Sequence, residues 1–138
     1  MKWHRVVLLL LMIVITTLGL IGCKAQNTDI KKIKDLDFTV VEDADLPGEL
    51  KEIIDEKKEE PFKMSYSNKD NLYIVVGYGK QNSGGYSISV NELYLTKNAI
   101  YINTNLIGPT QNDKVSQGVT YPYVVVKLEF MDKKIVFE

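Results

Sequence analysis

Past its fifth residue the sequence contains no histidine, no arginine and no tryptophan: His4, Arg5 and Trp3 are the only ones, and Cys23 is the only cysteine. Without an imidazole there is no Ser-His-Asp or Cys-His nucleophilic machinery, no His-ligated metal and no general base of ordinary pKa near neutrality. A single cysteine rules out an intramolecular disulfide, so any domain here is held by its core alone. Strong basicity is missing as well. If residues 1–22 are removed, 15 lysines face 18 acids, a net charge of −3, and no patch suited to phosphate backbones is evident, so no nucleic-acid partner is expected. No internal repeat is visible, and 138 residues fit one domain with accessories rather than two.

What is present begins with a patterned N-terminus. Lys2 and Arg5 precede an apolar run from Val6 to Ile15, followed by Thr16, Thr17, Leu18, Gly19 and Leu20. The order is that of a secretion signal, and the run is shorter than the ~20 apolar residues that span a bilayer. Leu20-Ile21-Gly22-Cys23 then resembles the lipobox of bacterial lipoproteins. The resemblance implies cleavage after a signal peptide of residues 1–22, acylation of Cys23 (diacylglyceryl, palmitate-type chains), and a chain anchored on the extracytoplasmic face of the cell membrane. Two acyl chains give a stable anchor where one is marginal. Residues 23–37 are polar, with lysines at Lys31, Lys32 and Lys34, and are expected to form a flexible tether; residues 38–138 are expected to form a single β-rich domain.

Within that domain, Phe38 to Glu42 is a short strand candidate. Asp45-Leu46-Pro47-Gly48-Glu49 offers a capping acid and an early proline, and Leu46, Leu50, Ile53 and Ile54 recur at helical spacing. An amphipathic helix is expected near residues 46–59, ending before Pro61. From Phe62 the period changes to two. Phe62 to Ser67 predicts a strand, Asn68 to Asn71 a turn, and Leu72 to Tyr78 a strand covered on both faces. Alternation around Tyr86, Ile88 and Val90, around Ile100, Ile102 and Thr104, and from Tyr123 to Phe130 predicts half-buried strands, with a last one at Ile135 to Phe137. Six or seven strands and one helix make a mainly β (α+β) antiparallel sandwich or partly open barrel.

Two loops stand out, Gly79 to Gly85 and the long segment from Gly108 to Thr120 that leads into Tyr121-Pro122-Tyr123. If consecutive strands from Leu72 alternate in direction, both loops share one end of the sheet, and the short turns at Lys97-Asn98 and Lys133-Lys134 share the other. The glycines do not form a phosphate cradle, because a strand follows them where a helix N-terminus would be needed. Gly79-Lys80-Gln81-Asn82-Ser83-Gly84-Gly85-Tyr86-Ser87-Ile88 instead resembles the Pro-Thr-Gly-Gly-Tyr signature of the PrcB C-terminal domain family, and Thr120 to Lys127 resembles its second signature. The two span about residues 72–128. Asn82 and Ser83 stand where that family favours Pro and Thr, which removes a fixed φ from the start of the turn.

The family takes its name from the lipoprotein partner of a surface protease complex. The resemblance implies a non-catalytic, envelope-facing module associated with partner proteins. From the loops themselves, Asn82, Ser83, Gly84, Gly85 and Tyr86, together with Tyr121, Pro122 and Tyr123, are expected to form its contact surface for an envelope protein such as a protease. Asn-Ser-Gly-Gly-Tyr also resembles, over a few residues, a loop of chagasin-type cysteine protease inhibitors, which are sandwiches presenting three loops at one end. A third alternative is a ligand- or sugar-binding surface built from the eight tyrosines. Catalysis is not expected: Ser83 and Lys80 lack the Ser-x-x-Lys placement at a helix start, and Glu42, Asp43 and Asp45 lack calcium-loop spacing. No cofactor and no metal site are expected.

Overall fold

The computed structural model describes residues 2–7 and 30–138. Residues 2–7 are helical and exposed; the remainder of the expected signal, and Cys23 with its expected lipid, lie outside the described residues. No described helix is long and apolar enough to cross a membrane.

The elements from residue 30 onward are β1 (Lys32–Asp35), β2 (Thr39–Val40), a 3₁₀ turn (Asp43–Asp45), α1 (Gly48–Lys57), β3 (Pro61–Ser67), β4 (Asn71–Tyr78), β5 (Ser87–Thr96), β6 (Ala99–Ile107), β7 (Tyr123–Glu129) and β8 (Lys134–Phe137). They form two open four-stranded sheets, ordered β1-β5-β6-β8 and β2-β7-β4-β3. Of the two architectures expected, the sandwich is the one observed.

The second sheet is the middle of three layers. On one face Leu72, Ile74 and Val76 of β4, with Val124, Val126 and Leu128 of β7, meet Leu93, Ile100 and Ile102 of the first sheet. On the other, Tyr73, Val75 and Val125 receive Leu50 and Ile54 of α1. This double burial is why β4 reads as an unbroken apolar run instead of an alternating one. Tyrosine hydroxyls fasten the helical layer at its margins: Tyr66 donates to Glu49 at 3.0 Å, and Tyr123 donates to Asp43, which also takes Lys51 at 3.3 Å.

Several expectations are corrected. The tether does not run to residue 37, because Lys32–Asp35 pairs antiparallel with β5 as an edge strand. All four of its residues are exposed, so backbone pairing holds it and no apolar pattern announces it. Asp45 does not cap the helix: it closes the 3₁₀ turn by donating its N–H to the Glu42 carbonyl, and the helix starts with Lys51 N–H bonding the Pro47 carbonyl. The domain is not wholly antiparallel. After β7 the chain crosses to the first sheet, where β8 lies parallel to β6, so Lys133-Lys134 marks a change of sheet and not a hairpin. A bulge between Val90 and Glu92 adds one residue to β5. Inward positions thus shift from Ile88 and Val90 to Leu93 and Leu95, which partner Ile102 and Ile100.

Candidate functional site

The register brings both long loops to one end. Gly77 pairs with Tyr123 across β4 and β7, and Ser87 pairs with Ile107 across β5 and β6. The loop after β4 and the loop before β7 therefore leave neighbouring positions on the two sheets. At the far end sit the Lys97-Asn98 turn, closed by Thr96 Oγ1 accepting the Ala99 N–H at 3.1 Å, and Lys133, whose ammonium donates to the Lys97 carbonyl at 2.8 Å.

The loops are latched together. Gln81 and Thr120 exchange both backbone hydrogen bonds, at 2.8 and 3.0 Å, and the Gly84 N–H donates to the Ser116 carbonyl at 2.8 Å. The Thr120 hydroxyl donates to the Ser83 carbonyl at 2.7 Å. Gly85 has φ +85° and faces Val115 so closely that an added Cβ would lie 2.3 Å from Val115 Cγ1 and 3.1 Å from Pro109 Cβ. Within the longer loop, Thr110 N–H donates to Asp113 Oδ2 at 2.7 Å, pinning residues 110–113 and holding the Asp113 carboxyl below its usual range.

A third segment joins them from the helical side. Lys80 N–H donates to the Glu59 carbonyl at 3.1 Å, Lys58 Nζ lies 5.9 Å from the Tyr121 ring centroid, and Gly79, at φ +72°, approaches Pro61 too closely for a Cβ. The end of the sandwich is thus built from residues 58–61, 79–86 and 108–122. The helix exit was not anticipated from the sequence; the long segment carrying Val115, Ser116 and Thr120 was, but not the part these residues play as the seat of the short loop.

Of the residues singled out from the sequence, Asn82 and Gly85 are exposed, as is nearby Lys80, while Ser83, Gly84, Tyr86, Tyr121 and Pro122 are half-buried. Ser83 Oγ donates to the Gly84 carbonyl at 3.2 Å. The Pro122 carbonyl accepts the Tyr78 N–H at 3.0 Å. Tyr123 turns away from the loops towards the cluster of Leu50, Ile54 and Val125. The tyrosines do not share one platform: Tyr94 and Tyr101 stack at 5.1 Å on the outer face of the first sheet, Tyr66 and Tyr73 meet at 6.0 Å beside the helix, and Tyr78 bonds Thr104 between the sheets at 2.7 Å. Among the described residues, no group of three His, Cys, Asp or Glu is placed to hold a metal ion.

Burial, and then the Asp43 carboxylate, push the Tyr123 hydroxyl far above the usual phenol range, and the Tyr123 hydroxyl in turn holds Asp43 below its ordinary 3.8. A carboxyl depressed by folding contributes stability above its unfolded pKa and loses it as pH falls through the folded value. Tyr123→Phe is therefore expected to cost about 1 kcal/mol at pH 7, discounted for the exposure of Asp43. The cost should shrink as pH falls below the ordinary 3.8 and the carboxyl is neutralised; urea unfolding of both proteins at neutral and at acid pH measures it.

No curated protein and no solved structure matches the chain. The model of the PrcB C-terminal family matches residues 72–129. That segment holds β4, β5, β6 and β7, the two inner strands of each sheet, and both latched loops. What the comparison shows is therefore a similarity to the PrcB C-terminal family over residues 72–129.

Proposed function

We propose that this protein is a lipid-anchored, extracytoplasmic and non-catalytic module, whose latched loop end binds an envelope protein belonging to a protease complex. The observation that carries the reading is the latch. Loops that only connect strands need no cross-bonds, whereas four inter-loop hydrogen bonds and a glycine packed on Val115 hold Asn82 and Tyr86 in one arrangement before any partner arrives. Such preorganisation lowers the entropic cost of association. The anchor on Cys23 keeps the domain at the membrane face, where encounters with other anchored proteins are favoured.

The test is in-cell crosslinking from the loop end, followed by identification of what is captured. A Lys80→Glu/Asn82→Arg variant alters exposed tips outside the latch. It is expected to lose capture of a protease-complex component at least tenfold with an unchanged melting temperature, as reversal of an interface charge implies. Undiminished capture of the same component would reject the loop surface. Cys23→Ser should separately release the protein from the membrane fraction; a protein that stays bound would reject lipid anchoring and leave the loop result standing.

One observation favours a second reading: three segments, not two, meet at this end of the sandwich, the presentation used by chagasin-type inhibitors. Inhibition of a papain-type protease by the purified protein at micromolar concentration would move the assignment from partner subunit to inhibitor.

A further inference from the structure

The end of the sandwich away from the loops gathers lysines that are distant in sequence. Lys31 and Lys32 lead into β1, where Lys32 pairs with Thr96; Lys97 occupies the β5–β6 turn; Lys134 pairs with Ala99 as β8 begins. Lys133 is drawn in by its bond to the Lys97 carbonyl. Lys31, Lys97 and Lys134 line one cleft of about 420 Å³ together with Ile30 and Tyr101. Among the described residues, only Lys32 of this set is ion-paired, to Asp35. Two large apolar side chains stand in solvent beside the lysines, Ile30 at 52% and Ile33 at 60% exposure.

Carboxylates also stand at or beside this end, Asp35, Asp70, Glu129 and Asp132 among them, but the largest collection of acids lies on another face. Residues 42–60 hold nine carboxylates and three lysines, and their helix covers the outer face of the second sheet. The molecule is therefore polarised, even though its formal net charge is only −1. A planar anionic surface attracts the lysine end and repels the helical side, which fixes an orientation and not merely an affinity.

We propose that Lys31, Lys97, Lys133 and Lys134, with Ile30 and Ile33, form a docking surface for the anionic phospholipid headgroups of a bilayer. The lysines sit in the headgroup potential and the isoleucines reach towards the acyl boundary. β5 spans the distance between the two ends, so this pose holds the latched loops roughly 30 Å further out. Cys23 precedes Ile30 by seven residues, so an extended chain keeps a lipid on Cys23 within about 25 Å of this end. That last step rests on the lipid-anchor reading; the charge pattern does not.

The experiment uses the full chain reconstituted in phosphatidylcholine vesicles with and without about one-third phosphatidylglycerol, footprinted briefly with a water-soluble lysine-acylating ester and read by mass spectrometry. The anionic lipid is expected to slow labelling of Lys31, Lys97, Lys133 and Lys134 by roughly fivefold at low salt. Protection should disappear at about 0.5 M salt, where the Debye length is only a few ångströms. Lys57, Lys80 and Lys114, on other faces, should label alike in both vesicles. A Lys97→Glu/Lys133→Glu variant should lose the protection of Lys31 and Lys134 while staying with the vesicles.

Equal labelling of the four lysines in both compositions would overturn the proposal. So would equal protection by inorganic phosphate without lipid, which would mean a small-anion site, or protection only by an acidic polypeptide. Loss of the whole chain from neutral vesicles after Cys23→Ser speaks to the anchor alone, because the anionic-lipid footprint is read independently of it.

Discussion

Gly85→Val is expected to open the latch between the two loops and to lower stability by about 3 kcal/mol. Two costs act at this position. At φ +85° a β-branched residue occupies backbone space that L side chains rarely adopt, worth roughly 1–3 kcal/mol by itself. The new Cβ would also lie 2.3 Å from Val115 Cγ1 and 3.1 Å from Pro109 Cβ, so the longer loop has to move away. Gly85 lies outside every strand, and the damage should stay at the loop end. Hydrogen exchange should show the Gln81, Gly84 and Thr120 amides losing protection while those of Ile74 and Val126 keep theirs. Gly84→Ala should do far less, because its Cβ would meet Ser116 Cβ at 3.3 Å without a positive φ to contend with. Protected Gln81 and Thr120 amides in the valine variant would show that the hydrogen bonds, and not the glycine, hold the loops.

This also explains what a Gly-Gly-Tyr sequence is for. As a string of residues it reads equally as a bend or as a recognition loop. In the fold, the second glycine accepts a side chain, Val115, from a segment thirty residues further on, and the tyrosine ring lies against Gly108, whose Cβ would be 3.3 Å from it. No local rule finds Val115, because a contact between two loops is set by the register of four strands.

The same division holds for the fold. Features that depend on burial were legible: the Leu50 and Ile54 stripe, and the unbroken run of β4, which lies between two apolar layers. The placement of the loops at one end was legible too, because strand parity is counted and not guessed. Features that depend on backbone pairing alone were not. β1 is a row of four exposed residues, so nothing in its composition distinguishes it from a tether. β8 carries the alternation of a strand, with Ile135 and Phe137 against the core, but periodicity is blind to direction and cannot separate a parallel partner from an antiparallel one. Nor does a pattern of side chains reveal a bulge until the alternation has already slipped, as it does between Val90 and Leu93.

The double substitution Leu50→Ala/Ile54→Ala is expected to take the domain to the edge of unfolding. Both side chains are fully buried, and each truncation alone should cost about 2–5 kcal/mol. The two share one cluster with Tyr73, Val75 and Val125, so the combined cost should fall short of the sum, near 6 kcal/mol. A domain of this size holds only about 5–15 kcal/mol. Urea titration of the two single variants and the double one measures the series, and the double variant should show a transition moved to low denaturant or none at all. The outcome bears on where the family segment ends as a physical unit. Residues 72–129 contain the inner strands of both sheets but not the helix, and without it the face carrying Tyr73, Val75 and Val125 would lie open to water. A double variant that still unfolds cooperatively at an unchanged midpoint would mean that the inner strands are self-sufficient and the helix an addition. The expected loss would mean that the helical layer is a condition of the fold. It would then be a condition of the loop end as well, since Glu59 holds Lys80 and Lys58 covers Tyr121 only while the helix is docked.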